Sequence, residues 1–250
     1  MKRLEGKVAI VTGAGAGIGE ASAVAMAAEG ATVVLADVLS ERVEVLAPKL
    51  EAAGARVLAV GFDVTEEEGW LSLVDDVRTR FGRIDVLFNN AGGGAGPGRD
   101  GAVTDLLLDE FWRTIRVDLY GTLLGCRTVL PVMAEQGTGS IINVSSLRAV
   151  IGTTGGDAYT ASKGGVLALS RALAVQWAKH GVRINTLAPG VVLTERVKAF
   201  IPPEDPLYRK MLLGPCEARD VADLVVFLAS DESRRMTGTV QRLDGGASVS

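Results

Sequence analysis

Residues 7–11 form a short β-branched run bounded by Gly6 and Gly13, and a helical pattern begins near Ile18. Between them stands Thr12-Gly-Ala-Gly-Ala-Gly-Ile-Gly19, the stretch that most restricts what this chain can fold into. The run before it suits a buried parallel strand. Glycines in the turn let the backbone reverse tightly and approach a pyrophosphate, whose charge then sits on the N–H groups of the helix N-terminus. A flexible glycine turn is the plainer alternative. Its place between a strand and a helix favours phosphate binding.

The same alternation continues along the chain. Strand-like runs lie at 31–36, 56–62, 84–88, 140–144, 182–187 and 239–243, and helical patterns at 40–53, 65–81, 109–136, 158–179 and 217–229. Thr65 reads as an N-cap followed by acidic Glu66, Glu67 and Glu68, and Pro131 should bend or end the helix that contains it. Asp37 closes the second run, 18 residues after Gly19. A carboxylate there can accept hydrogen bonds from an adenosine ribose, whereas a 2′-phosphate would meet like charge. Neither the glycine loop nor the position after Asp37 carries Arg or Lys, so NAD is expected over NADP.

A chain of 250 residues with 31 Gly, 8 Pro and 48% apolar residues suits one large α/β domain rather than two small ones. Its net charge of −4 gives no reason to expect nucleic acid as a partner. Cys126 and Cys216 are too far apart in sequence to suggest a disulfide framework or a metal site. Neither a secretory leader nor a run of about 18 uncharged apolar residues stands out, so no membrane segment is expected and the cytoplasm is the default location.

The chemistry concentrates between Ser146 and Lys163. Tyr159 and Lys163 are four apart at the start of a helical pattern, which makes them neighbours on one face. A free phenol titrates near ~10, too high for a general base at neutral pH. One positive charge at ~5 Å and an effective dielectric of ~20 contributes roughly 3 kcal/mol, about two pKa units in favour of a phenolate. A second cation, such as an oxidised nicotinamide ring, would bring a phenol near working pH, as removal of an alcohol proton requires. The strand-like run before this pair ends in Ser145 and Ser146, and either hydroxyl is a candidate for orienting a substrate oxygen. His180, the only histidine, has neither a serine-triad nor a metal context.

With the glycine loop, the serine pair and Tyr159-Thr-Ala-Ser-Lys163 on one chain, the sequence resembles the short-chain dehydrogenase/reductase family over essentially its whole length. The loop matches the family's T-G-x-x-x-G-x-G at Gly13, Gly17 and Gly19, with Ile18 among the cofactor contacts. By the same resemblance Asp63 and Val64 would meet adenine. Asn90, Ala91 and Gly92 of Asn89-Asn-Ala-Gly92 would line the cofactor, as would Pro189, Gly190, Val192 and Thr194 of the P-G-x-x-x-T segment. The offset to Tyr159 selects Ser146 as the catalytic serine, and Lys163 would also reach the nicotinamide ribose. Asp118 stands where the family usually has an asparagine in a proton relay. An anion there is expected to oppose the phenolate and move the pH optimum upward.

The resemblance implies a Rossmann-like, doubly wound α/β sheet of about seven parallel strands with helices on both faces, in a single domain covering 1–250. Residues 191–214 would form a substrate lid. Its apolar side chains, among them Phe200, Leu207, Met211 and Leu212, suit a hydrophobic substrate, core packing or subunit packing alike. Arg148 would meet a substrate anion or solvent, and the glycine-rich stretch 93–100 would be a mobile loop beside the pocket. The expected activity is reversible hydride transfer between NAD(H) and a small-molecule secondary alcohol or ketone in a homotetramer. The alternative is a non-catalytic NAD sensor of the same fold.

Overall fold

The structure, a computed structural model, describes residues 2–93, 100–202 and 204–250, with Pro206 and Leu207 described by their backbone alone. The expectations for the loop at 94–99 and for the Leu207 side chain therefore lie outside the described residues. Strands β1 (Val8–Thr12), β2 (Thr32–Asp37), β3 (Val57–Gly61), β4 (Val86–Asn89), β5 (Gly139–Val144), β6 (Val182–Pro189) and β7 (Val240–Leu243) make one sheet in the order β3-β2-β1-β4-β5-β6-β7. Every pairing is parallel. The chain winds outward from β1 to β3, returns past its start to β4, and winds outward again. That reversal opens a crevice at the carboxyl ends of β1 and β4.

Helices α1 (Gly17–Ala28), α2 (Ser40–Ala52), α3 (Glu67–Phe81), α4 (Leu108–Thr114), α5 (Gly121–Gln136), α6 (Asp157–Trp177), α7 (Glu195–Lys198) and α8 (Ala218–Ala229) connect the strands. Alternate strand residues feed two cores. Ala9, Val11, Val33 and Leu35 pack with Met26 of α1, Leu46 of α2 and Val225 of α8. Val8, Ile10 and Val34 pack on the opposite side with Trp70 of α3, Leu130 and Met133 of α5, and Ala174 of α6. Burial from both faces explains why the strands read as continuous apolar runs.

Three local expectations change. The N-cap of α3 is Glu66, not Thr65, and it makes no side-chain capping bond; Thr65 lies in the turn before it, its N–H donating to Asp63 Oδ1 at 2.8 Å. Pro131 does not end α5, which continues to Gln136 and stops at left-handed Gly137. A proline removes only its own N–H from the ladder, and later N–H groups can still bond. The single helix expected over 109–136 is interrupted by a π-helical turn, Ile115–Tyr120. This turn carries Asp118 into the interior. No helix among the described residues is long and apolar enough to cross a membrane.

Candidate active site

At the end of β1 the glycine loop forms a cradle. Gly13 and Gly17 have φ of 64° and 58°, conformations that L side chains resist. A Cβ on Gly19 would strike the Gly13 carbonyl. Ala16 caps α1 without a side-chain hydrogen bond, so no side chain competes with an anion at that N-terminus. Ile18 lies on the first turn of α1 and packs against the core. These features fit a dinucleotide pyrophosphate. Asp37 ends β2 with Oδ2 accepting the Gly15 N–H at 2.9 Å and Oδ1 accepting the Leu39 N–H at 3.0 Å. The carboxylate is therefore fixed beside the loop where a ribose would arrive.

The opposite wall of the cradle comes from β4. Asn90 Nδ2 donates to the Thr12 carbonyl at 2.9 Å, while the Asn90 and Ala91 N–H groups both donate to Thr12 Oγ1 at 3.0 Å. Asn89 donates to Asn143 across the sheet at 2.9 Å. Farther along, Trp70 Nε1 donates to the Val64 carbonyl at 2.9 Å and the Trp70 ring meets Phe62 edge-on. Buried Trp70 thus fixes the Asp63–Val64 turn at the end of β3.

The catalytic candidates meet between β5 and α6. Ser145 Oγ donates to the Lys163 carbonyl at 2.8 Å and is committed to the fold. Ser146 Oγ accepts the Arg148 N–H at 3.3 Å and its own proton has no acceptor among the described residues. The two serines thus differ in their hydrogen bonding. Lys163 is 3% exposed, its Nζ donating to the Val144 carbonyl at 3.0 Å and lying 5.7 Å from the centre of the Tyr159 ring. The Tyr159 hydroxyl has no partner among the described residues.

Asp118 is brought into this group. Its Oδ2 is 3.7 Å from Lys163 Nζ and 3.2 Å from Ser162 Oγ, and its Oδ1 accepts the Gly93 N–H at 3.0 Å. Gly92, with φ of 148°, lies against both charges; a Cβ there would collide with the Asp118 carboxylate and approach Lys163 Nζ to 3.2 Å. Glycine at this position therefore lets the charged pair reach the crevice.

Pro189 ends β6, and the Gly190 N–H donates to the Leu243 carbonyl at 2.9 Å. A Cβ on Gly190 would lie 2.9 Å from the Cα of Asp244. Burial pushes the Asp244 carboxyl up, but hydrogen bonds from Ser248 and the Gly246 N–H more than offset this and hold it below the usual range. Val192 bridges Cys216, and Thr194 caps α7 through the Val197 N–H at 3.3 Å. A Cβ on Gly17 would lie 3.0 Å from Thr194 Cγ2, so the segment after β6 reaches back to the glycine loop. Beyond it Met211 is buried, whereas Phe200, Leu212 and Leu213 are exposed.

Several contributors were not singled out in the sequence. Arg42 reaches Gly15 from α2: its Cβ is 2.7 Å from where a Gly15 Cβ would stand. Arg196 Nη2 donates to the Gly93 carbonyl at 2.8 Å, joining α7 to the end of the Asn-Ala-Gly turn. No local motif flags these contacts, because their partners lie far away in sequence. Arg148, which the sequence did single out, donates from Nη1 to the Gly155 carbonyl at 2.8 Å and so has a structural partner. His180 is exposed and its ring is 5.4 Å from that of Trp177. Cys126 and Cys216 are free and buried; burial pushes the Cys126 thiol up to about 12. The described residues contain no group of three or more His, Cys, Asp or Glu able to hold a metal.

Residues 13–248 match the family model described as enoyl-(acyl carrier protein) reductase. A 7alpha-hydroxysteroid dehydrogenase of Bacteroides fragilis is 36% identical over 255 residues, covering 100% of this chain and 97% of its own. The crystal structure of levodione reductase superposes with a TM-score of 0.92 at 35% identity, covering 99% of this chain and all of that one. A 7 alpha-hydroxysteroid dehydrogenase complexed with NADH and 7-oxo glycochenodeoxycholic acid superposes with a TM-score of 0.90 at 31% identity, covering 98% of this chain and 95% of that one. The chain belongs to the short-chain dehydrogenase/reductase family. As a member, it is an oxidoreductase of the alcohol dehydrogenase and ketone reductase kind that works with a nicotinamide dinucleotide.

Proposed function

We propose that this protein transfers hydride reversibly between a secondary alcohol or ketone and NAD(H), with Tyr159 as general acid and base. The supporting observation is the buried Lys163 ammonium 5.7 Å from the Tyr159 ring, at the mouth of the glycine-walled crevice. In the oxidative direction the phenolate of Tyr159 takes the hydroxyl proton. Ser146 donates a hydrogen bond to the same oxygen, holding it beside the phenol through bond cleavage. Lys163 supplies the charge that favours the phenolate and binds the nicotinamide ribose. Asp118 continues the polar path away from Lys163 and offsets part of its charge. A nicotinamide dinucleotide held in the cradle would supply the acceptor for the hydride lost from the alcohol carbon, which becomes the ketone.

In this reading Gly13, Gly17, Ile18 and Gly19 hold the pyrophosphate, Asp37 the adenosine ribose, and Asp63 and Val64 the adenine. Asn90, Ala91 and Gly92 flank the nicotinamide ribose, and Pro189, Gly190, Val192 and Thr194 fix the carboxamide. The Asp37 carboxylate supports NAD over NADP, since a 2′-phosphate would approach like charge. Residues 191–214 act as the lid, with exposed Phe200, Leu212 and Leu213 offering an apolar surface to the substrate. Relatives named for hydroxysteroids and levodione put cyclic secondary alcohols and ketones first among substrates.

The exposed Leu123 of α5 and Val175 of α6 support assembly of four copies through these helices, which light scattering would test. Two unpaired buried thiols suit a cytoplasmic setting. The deciding experiment is turnover of a panel of cyclic alcohols and ketones with NAD and NADP, followed by nicotinamide absorbance. Tyr159→Phe should lower kcat at least about 10²-fold while NAD binding persists. Full activity of that variant, or NAD binding by the unaltered protein with no turnover on any substrate, overturns the reading.

A further inference from the structure

We infer that Asp100 is a positioning residue for Tyr159, acting from outside the catalytic helix. This inference rests on the assignment of Tyr159 as the acid and base. The start of an α-helix leaves its first N–H groups without partners, and a capping side chain normally supplies an acceptor. The residue that precedes α6 cannot do so: Gly156 has no side chain and adopts a left-handed φ of 71°.

Asp100 and its neighbour supply the acceptors instead. The Ala158 N–H donates to Asp100 Oδ1 at 2.9 Å and the Tyr159 N–H to Oδ2 at 2.8 Å. The Gly156 N–H donates to the Asp100 carbonyl at 3.1 Å and the Asp157 N–H to the Gly101 carbonyl at 3.4 Å. The first bond within this turn follows at once, from the Thr160 N–H to the Gly156 carbonyl at 2.9 Å. Four successive amides before that bond are thus held by two residues more than fifty positions away in sequence.

One of those amides belongs to Tyr159 itself, so the cap fixes the Cα from which the phenol projects. A carboxylate is also the charge that suits a helix N-terminus. Arg148 braces the same entry from the serine side. Its N–H donates to Ser146 Oγ at 3.3 Å and its guanidinium to the Gly155 carbonyl at 2.8 Å. Without the Asp100 cap, the turn carrying Tyr159 would fray and the phenol would lose its register with Ser146. A misplacement of about 1 Å at a reacting group costs on the order of 10²-fold in rate.

The test compares Asp100→Ala, Asp100→Asn and Asp220→Ala in the full-length protein. Asp220 belongs to the capping box of α8, a helix that carries none of the residues assigned to the reaction, and controls for loss of a cap as such. Asp100→Ala should lower kcat by about tenfold or more, leave the NAD dissociation constant essentially unchanged, and speed amide exchange across residues 156–162. Asp100→Asn keeps one carbonyl acceptor and should recover part of kcat. Asp220→Ala should lower Tm and leave kcat unchanged. The inference is overturned if Asp100→Ala exchanges as the unaltered protein does, or exchanges faster with kcat intact, or loses no more activity than Asp220→Ala. Activity retained by Tyr159→Phe would instead overturn the role of Tyr159, while the exchange result would still report the cap.

Discussion

The two edges of the sheet use polar groups in opposite ways. At the N-terminal edge, a cavity of about 370 Å³ is lined by Lys7, Asp85, Arg183 and Asp231 among others, and these four are already engaged. Lys7 donates to Asp231 at 2.8 Å, Asp85 accepts the Val8 N–H and the Arg83 guanidinium, and Arg183 donates to the Leu228 and Ser230 carbonyls. At the C-terminal edge the Tyr159 hydroxyl and the Ser146 proton have no acceptor among the described residues, and the buried Lys163–Asp118 pair borders glycine. A cavity whose polar lining is already engaged offers a ligand little to bond. Unengaged hydrogen-bonding groups beside a backbone cradle support the site proposed at the carboxyl ends of the parallel strands.

Substitutions at the two edges should differ in their effect on activity. Lys163→Met at the C-terminal edge should lower kcat about 10²-fold, the value of one cation at this distance in an effective dielectric of ~20, and should also lower Tm, because it leaves the buried Asp118 carboxylate without its cation. A lower Tm with kcat retained would show that Lys163 serves the fold alone. Asp85→Ala at the other edge removes three hydrogen bonds from a buried carboxylate. It should cost about 2 kcal/mol and lower Tm by about 6 °C, with kcat unchanged. A drop in kcat would break the contrast between the edges.

Two smaller effects concern pH. Asp118→Asn should change the pH–rate profile for alcohol oxidation, because it removes the anion 3.7 Å from the Lys163 ammonium. An unmoved profile would uncouple Asp118 from the phenol. At the N-terminal edge, hydrogen bonds from Arg3 hold the Glu29 carboxyl below the usual range. A carboxyl depressed in the folded state adds stability above its unfolded pKa, and this is lost as pH falls through the folded value. Glu29→Gln should therefore lower Tm slightly near neutrality, with the difference from the unaltered protein closing below about pH 4. A difference constant with pH would show that the pair contributes through packing alone.

Much of this was legible in the chain because it is local. The strand, glycine turn and helix from β1 into α1 follow one another without a break, so chain order is enough to recognise them. Tyr159 and Lys163 share a face because a helix brings residues four apart together. Other features escaped. Thr65 looked like a cap because capping preferences are local, but α3 begins one residue later, after Glu66. The π-helical turn at Asp118 left no hydrophobic period to read, since one extra residue in a turn changes direction without changing composition.

Sequence alone determined the alternation of strands and helices, the glycine cradle, the serine, tyrosine and lysine that carry the proposed chemistry, and the family to which they point. Only the tertiary structure decided that Ser145 donates to the Lys163 carbonyl while Ser146 accepts the Arg148 N–H, that Asp118 lies 3.7 Å from the ammonium, and that Asp100 caps the helix of Tyr159. The reason is physical. Periodicity reports which residues one element brings together, whereas a buried N–H or charge takes whichever partner folding places beside it, at any distance along the chain.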